Sequence, residues 1–220
     1  MTYKVVEIFE SINGEGMRAG ELAVFVRFAG CNLRCSYCDT MWANEADTVY
    51  QEMELSEIVE KVCQFSVRNV TITGGEPLLQ KNVDLLLSEL VKKGLSVEIE
   101  TNGSIPLKEL AKNLPELIFT MDYKLAGSSM ESHMNVENFA VLTKKDTVKF
   151  VVSDRNDLER AYEIVKAYHL NGACNLLLSP VFDAIELEEI VAFMKEKNWK
   201  DARMQIQMHK VIWDPQERGV

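Results

Sequence analysis

Asn69-Val-Thr-Ile-Thr-Gly-Gly-Glu-Pro77, then an apolar stripe at Val83, Leu86, Leu87, Leu90 and Val91, then Gly94 and Leu95-Ser-Val-Glu-Ile-Glu-Thr101, decide the fold class of this chain. The outer pieces are short and rich in β-branched residues, as strands are. The middle repeats its apolar positions at helical spacing and ends on a glycine, the residue that most easily closes a helix. Strand, helix and strand in such close succession call for a parallel pair joined by a right-handed crossover.

The same alternation extends in both directions. Upstream, Val5 to Phe9 alternates weakly, Ser11-Ile-Asn-Gly-Glu-Gly16 marks a tight turn, and Ala23 to Gly30 reads as a strand buried on both faces. Leu55, Ile58, Val59, Val62 and Cys63 form a helical stripe, with Cys63 read as a small core residue. Downstream, a short helix near Pro106 to Asn113, a strand from Leu117 to Asp122 and a polar loop from Lys124 to Asn135 follow. A strand from Thr147 to Val152, a helix through Leu158, Ala161, Tyr162 and Val165, a strand from Asn175 to Ser179 and a helix through Leu187, Ile190, Val191 and Met194 come next. Met204 to Lys210 closes the pattern. An eight-fold barrel normally takes about 250 residues, so the expectation is an α/β fold with a mostly parallel sheet, a partial (β/α)6-type barrel of roughly six units. A doubly wound open sheet is the alternative. Residues 1–220 read as a single domain, with ligand groups gathered at the C-terminal ends of the strands.

With 220 residues, 47% of them hydrophobic, the chain can bury a sizeable core. Twenty-four basic against 34 acidic residues leave a net charge of -10, which argues against nonspecific binding to nucleic acid or to an anionic membrane. The start of the chain lacks a charged segment followed by an apolar one, and no apolar run approaches the roughly 18 residues of a membrane span. A cytoplasmic location is expected. Three of the five cysteines crowd together, which suits metal ligation better than a disulfide framework.

Those three are Cys31-Asn-Leu-Arg-Cys35-Ser-Tyr-Cys38, directly after the strand that ends at Gly30. Three thiolates on one short loop can hold a metal centre and leave one metal position open. Structural zinc is the alternative, but it wants four protein ligands, and no fourth cysteine or histidine lies nearby. Thr73-Gly-Gly-Glu76 could let backbone approach a ligand and offer Glu76 to a cation such as an α-ammonium, or could be a plain turn. Glu100-Thr-Asn-Gly103 and Asp122-Tyr-Lys124 end their strands in polar residues. The bland readings are a turn with a helix cap and a solvated lysine. Ser179 ends a later strand. Arg27 lies in a strand buried on both faces, so it needs either a carboxylate partner or an anionic ligand. His133 and His169 read as surface residues.

The cysteine triple with Tyr37 between its last two members resembles the signature of the radical S-adenosylmethionine (SAM) enzymes. In these, three cysteines hold a 4Fe-4S cluster and SAM chelates the fourth iron. The resemblance implies that Cys31, Cys35 and Cys38 ligate the cluster, that Gly74, Gly75 and Glu76 hold the amino group of SAM, and that Tyr37, Glu100, Asn102, Lys124 and Ser179 line its site.

The flanks narrow the resemblance. Glu7-Ile-Phe-Glu-Ser-Ile-Asn-Gly-Glu-Gly16, Phe25-Val-Arg-Phe-Ala-Gly-Cys31, Cys38-Asp-Thr40 and Gln207-Met-His-Lys-Val-Ile-Trp213 together resemble the 7-carboxy-7-deazaguanine synthase family over nearly the whole chain. Asn13 departs from the glutamine usual in that family. The resemblance implies conversion of 6-carboxy-5,6,7,8-tetrahydropterin to 7-carboxy-7-deazaguanine on the route to queuosine. An electron from the cluster cleaves SAM, a radical takes hydrogen from pterin C6, the ring contracts and ammonia leaves. It also implies Mg²⁺ beside the substrate carboxylate with Thr40 as a ligand, Arg27 as the carboxylate clamp, and Asp39 in substrate contact or proton movement. Asn13, Glu15 and His209 would touch the pterin. Without the resemblance His209 reads as a satisfied strand histidine. A flavodoxin-like electron donor and a homodimer are further expectations of the family. Two rivals remain open at this stage: a glycyl-radical-enzyme activase, and a metal- or nucleotide-binding module without turnover.

Overall fold

The computed structural model describes residues 1–215 and 217–220. β1 (Thr2–Ile12) and β2 (Leu22–Phe28) pair antiparallel, and β3 (Gln51–Glu54) pairs antiparallel with the outer edge of β1. From β2 the sheet continues in parallel through β4 (Asn69–Gly74), β5 (Ser96–Thr101), β6 (Ile118–Tyr123), β7 (Thr147–Val152), β8 (Asn175–Pro180) and β9 (Ala202–Met204). Among the described residues this is one nine-stranded sheet in the order β3-β1-β2-β4-β5-β6-β7-β8-β9.

From β4 onward, spatial order equals chain order. Successive right-handed crossovers that always step the same way leave all their helices on one face, so the sheet curls into part of a barrel. A doubly wound sheet would need the order to reverse, and it does not. β3 and β9 end the sheet without pairing to each other, so the barrel stays open.

The crossover helices are α1 (Leu55–Gln64), α2 (Val83–Lys92), α3 (Lys108–Asn113), α4 (Arg155–Ala167) and α5 (Leu187–Glu196), with a short α6 (His209–Ile212) after β9. A reciprocal cap starts α1, where the Glu57 carboxylate accepts from the Glu54 backbone N–H at 2.6 Å. Asp154 accepts from the Asp157 N–H at 2.9 Å to start α4, and Gly94, at φ +79°, ends α2. Leu86, Leu87 and Leu90 of α2 are fully buried against Ile72 and Ile99. Truncating any of them to alanine would cost about 2–5 kcal/mol.

Because strand residues alternate, the opposite face carries a different set: Thr71, Thr73, Glu98, Glu100, Thr120, Asp122, Lys149 and Ser179. The outer face of the sheet is apolar, whereas the inner face mixes these polar groups with Phe25, Ile118, Val151 and Leu177.

Three expectations change. Cys63 is exposed: it follows the buried Val62 directly, about 100° further round α1, and opens on a surface groove shared with Glu60, Glu89 and Lys93. β3 was not foreseen; its Gln-Glu-Met-Glu sequence lacks β-branched residues, and its pairing with β1 alone holds it. His209 begins a helix instead of lying in a strand, since β9 stops at Met204. His133 and His169 are exposed as expected.

Candidate active site

The C-terminal ends of the parallel strands surround a cavity of about 570 Å³. Cys31, Cys35 and Cys38 all line it. Their loop is fastened from two sides. Ser36 donates through N–H to Ser128 O (3.1 Å) and through Oγ to Gly127 O (2.6 Å), both in the segment after β6. On the other side Gly30 N–H donates to Ala43 O at 3.0 Å. Leu125 and Ser128 are fully buried, so the stretch 124–135, expected to be a polar loop, packs against the cysteine loop.

The two glycines after β4 make that arrangement possible. A Cβ on Gly75 would overlap the Gly30 carbonyl oxygen, and one on Gly74 would press on Phe28 O. Gly75 N–H donates to Phe28 O (3.2 Å) and Glu76 N–H to Gly30 O (2.9 Å). The glycine pair therefore serves first to bring the end of β4 against the end of β2, which sets the cysteine loop at the cavity wall.

Arg27 faces the cavity from β2. Its Nε donates to Glu7 Oε1 at 2.7 Å, and its guanidinium lies 5.9 Å from the Trp42 ring. The structure supplies the carboxylate partner, and it also places Arg27 on the cavity wall. Thr40 Oγ1 stands 3.7 Å from Cys38 Sγ. Asp39 lies 3.3 Å from Lys210 Nζ. The protein crowding Asp39 pushes its carboxyl up, but the charges of Lys210 and Lys149 outweigh this and hold it below the usual carboxylate range.

A chain of charges crosses the cavity floor. Lys124 Nζ lies 2.8 Å from Asp122 Oδ2, Lys149 Nζ lies 3.5 Å from that same oxygen, and Lys149 also pairs with Glu15 Oε2 at 3.1 Å. Burial alone would lower both lysines, yet Asp122 holds Lys124 above its ordinary value, and Glu15 and Asp122 hold Lys149 well above it. Gln207 Nε2 donates to Glu15 Oε2 at 3.3 Å. Glu15 Oε1 and Asp122 Oδ1 are buried with no partner among the described residues. An unpartnered carboxylate oxygen in a cavity wall is a place for a ligand N–H or O–H. His209 packs over Gly14, where no side chain would fit, and burial shifts its imidazole downward so that the neutral form is favoured.

The structure gathers most of the residues named from sequence. Glu15, Arg27, the three cysteines, Tyr37, Asp39, Thr40, Gly74, Gly75, Glu100, Asn102, Lys124 and His209 all line the cavity. Three do not reach its wall. Glu76 is fully buried behind Gly75 and accepts from Leu78 N–H (3.1 Å), Thr101 Oγ1 (3.0 Å) and Asn102 N–H (2.7 Å). Asn13 sits below the floor, its Oδ1 accepting from Thr71 Oγ1 at 2.8 Å, and Ser179 is fully buried. Asn102 connects the two tiers: Glu76 holds its backbone while its Nδ2 reaches Cys31 Sγ at 3.6 Å. Sequence reasoning missed Lys149 and Lys210. Lys149 carried a signal, as the one charge in the apolar strand Thr147-Val-Lys-Phe-Val-Val152.

The donor set fits an iron–sulfur cluster by its chemistry. Three thiols from one loop share a wall, while Cys63 opens on a separate groove and Cys174 lies before β8, at the other end of the barrel. Among the described residues no three His, Cys, Asp or Glu side chains stand at ready-made metal-ligating spacing, so the fit lies in the donors and not in a preformed geometry. Burial pushes the Cys31 thiol up and the Cys35 thiol to about 11, and a coordinated cation is what strips such protons.

Residues 25–196 match the radical SAM superfamily. The chain is 53% identical to the 7-carboxy-7-deazaguanine synthase of Clostridium acetobutylicum, over 100% of both chains. It is 36% identical to that of Leptospira interrogans, over 98% of this chain and 97% of the relative. The crystal structure of QueE from Escherichia coli shares the fold, with a TM-score of 0.74 at 24% identity over 95% of each chain. Full-length identity, the radical SAM match and the cysteine-lined cavity agree: the chain belongs to the 7-carboxy-7-deazaguanine synthase family of radical SAM enzymes, which work with a 4Fe-4S cluster and SAM.

Proposed function

We propose that this chain converts 6-carboxy-5,6,7,8-tetrahydropterin to 7-carboxy-7-deazaguanine with release of ammonia, supplying the route to queuosine. The observation that carries the reading is the pairing, in one cavity, of the cysteine loop with a carboxylate-oriented arginine. Cys31, Cys35 and Cys38 would hold the cluster, with SAM beside Tyr37, Gly74, Gly75, Glu100, Asn102 and Lys124. When bound, the cluster and SAM supply the radical that starts the reaction.

The chain's own residues select and hold the substrate. Glu7 takes the Nε of Arg27 and so orients the guanidinium, leaving its Nη edge for the pterin carboxylate. Thr40 Oγ1 would contribute to a Mg²⁺ that shares this carboxylate, and Asp39, held ionised by Lys210 and Lys149, adds negative charge nearby. Glu15, fixed at Oε2 by Lys149 and Gln207, offers Oε1 to an N–H of the pterin ring. His209, favoured neutral, completes the polar edge and can accept a proton. Glu76, Asn13 and Ser179 support the wall from behind.

We further propose a flavodoxin-like electron donor, a homodimer, a single domain over residues 1–220 and a cytoplasmic location. No helix among the described residues is long and apolar enough to cross a membrane. The test is complementation. Cells that lack their own 7-carboxy-7-deazaguanine synthase and express this chain should regain queuosine in their tRNA, and a Cys35→Ala variant should not restore it. Absence of queuosine despite good expression of the unmodified chain would contradict the reading.

A further inference from the structure

One buried acid on the inner face of the barrel has no part in the site described above. Glu98, in the middle of β5, is 4% exposed, and among the described residues no cation pairs with it. Its Oε1 accepts from Thr120 Oγ1 at 2.6 Å. Thr120 lines the cavity and Glu98 does not, so a single hydroxyl separates this carboxyl from the floor of the active site.

The surroundings of Glu98 are set by every element packed on it. Glu100 lies two residues further along its own strand, with its charge partly engaged by Thr73 Oγ1 at 2.9 Å. On β4, Thr71 stands level with Glu98, but its hydroxyl donates to Asn13 Oδ1. On β6, the apolar Ile118 stands level with it and Thr120 follows. From the turn after β1 come Gly16, Arg18 and Glu21. A Cβ at Gly16 would lie 3.3 Å from Glu98 Oε1. Arg18 pairs with Glu21 at 3.1 Å and also donates to Ser96 Oγ (3.0 Å) and to Asn69 Oδ1, so it joins the lower ends of β4 and β5 to Glu21, which is 54% exposed. Gln205 closes that turn against the last strand by bonding to both the N–H and the carbonyl of Gly16, at 2.7 and 2.9 Å. Burial, with Glu100 adding to it, pushes the Glu98 carboxyl up to about 7 against the pull of the Thr120 hydrogen bond and of Arg18. Such a group both gives and takes a proton at neutral pH.

We propose that Glu98 and Thr120 form a proton relay between solvent at the lower end of the barrel and the cavity, supplying the proton that the substrate's amino group takes up as it leaves as ammonia. In the step, the Thr120 hydroxyl, which donates to Glu98 Oε1 in the resting arrangement, turns its O–H toward the cavity and becomes the acceptor; the Glu98 O–H bond breaks and its proton passes to Thr120 Oγ1. The hydroxyl passes its own proton to the departing amino nitrogen, or to a water in the cavity that does so. Two O–H bonds break and an O–H and an N–H (or water O–H) bond form, the net transfer is one proton, no electrons are transferred, and the Glu98 carboxylate regains its proton from solvent at the lower end of the barrel. Glu98 acts through Thr120 and touches no ligand, so it is a positioning residue. The proposal rests on the reaction proposed above.

The test measures deazaguanine formation by the reconstituted enzyme from about pH 6 to about pH 9. In the wild type, kcat should fall as pH rises through about 7, where Glu98 loses its proton. Glu98→Gln and Thr120→Val should each lower kcat roughly 10- to 100-fold with KM unchanged and should both flatten this limb. Thr120→Ser should restore rate and profile. If Glu98→Gln does not fold, the Thr120→Val and Thr120→Ser pair decides alone. Unchanged kcat and limb in the valine variant, or a raised KM at constant kcat, would overturn the relay. Infrared titration of the protein without cluster gives a separate readout: one carboxyl band changing near pH 7 should vanish in Glu98→Gln, and persistence of every such band would contradict the assignment. A wild type that makes no deazaguanine would remove the parent reaction, and the relay with it.

Discussion

Lys149 shows how much a single side chain organises. It neutralises Glu15 and Asp122 together from the middle of a strand whose six residues are all buried. Lys149→Met should cost about 3–5 kcal/mol in chemical denaturation, because it leaves the buried Glu15 carboxylate with only the Gln207 amide beside it and Asp122 with Lys124 alone, and Lys149→Arg should recover much of it. A loss below about 1 kcal/mol would show that the carboxylates find other partners. Two other buried acids make a pH prediction. Burial raises Glu76 and Glu98 to about 7, so the folded protein keeps protons that the unfolded chain would release. That contribution to stability is complete below about pH 4.5 and is lost as pH rises through about 7, by at most on the order of 3 kcal/mol for each group. Thermal unfolding of the cluster-free protein should therefore occur at a lower temperature at about pH 8.5 than at about pH 6, with a smaller drop in Glu98→Gln. An equal or higher midpoint at the alkaline pH would contradict it. At the cavity edge, Thr40→Ala should preserve iron content and SAM binding while weakening Mg²⁺-dependent turnover about 10-fold or more. Full activity and an unchanged metal response would remove the Mg²⁺ assignment. Arg27 and the three cysteines were readable as cavity residues because they sit in short, distinctive neighbourhoods, whereas Thr40 was named only through the family resemblance. Glu98 was silent, since one acid in an alternating strand looks like any solvent-facing residue until the barrel closes over it.

At the level of elements, the segment after β6 and the turn after β1 hold the site from opposite sides. Asp157 at the start of α4 accepts from Gly127 N–H (3.0 Å), Ser153 N–H (2.9 Å) and Ser153 Oγ (2.6 Å), and Gly127 has no room for a side chain there. Gly127 and Ser128 then receive the hydrogen bonds of Ser36 in the cysteine loop. Asp157→Ala should therefore lower both stability, by about 2–3 kcal/mol, and iron retained per chain after reconstitution. Normal iron content in a folded variant would show that the cysteine loop stands without this support. The stretch 124–135 was legible only as polar loop, because its buried Leu125 and Ser128 carry no periodic pattern. The main strands and helices were legible, since each buries its own apolar stripe. β3 and α6 were not, because contacts distant in sequence hold them.

Across the whole molecule, strand order does the functional work. Stepping always to the same side puts every crossover helix on the outer face and curls the parallel strands around a partly polar interior, with the cysteine loop at one end. The alternation of strands and helices foretold this curl. The charge chain from Lys124 through Asp122 and Lys149 to Glu15 was not foretold, because it exists only once β6, β7 and the turn after β1 meet. The most direct test incubates reduced, cluster-loaded protein anaerobically with SAM, Mg²⁺ and 6-carboxy-5,6,7,8-tetrahydropterin, and follows the products by mass spectrometry. The account predicts 7-carboxy-7-deazaguanine and 5'-deoxyadenosine, with the deazaguanine lost in Arg27→Met. SAM cleavage without any deazaguanine in the wild type would contradict it.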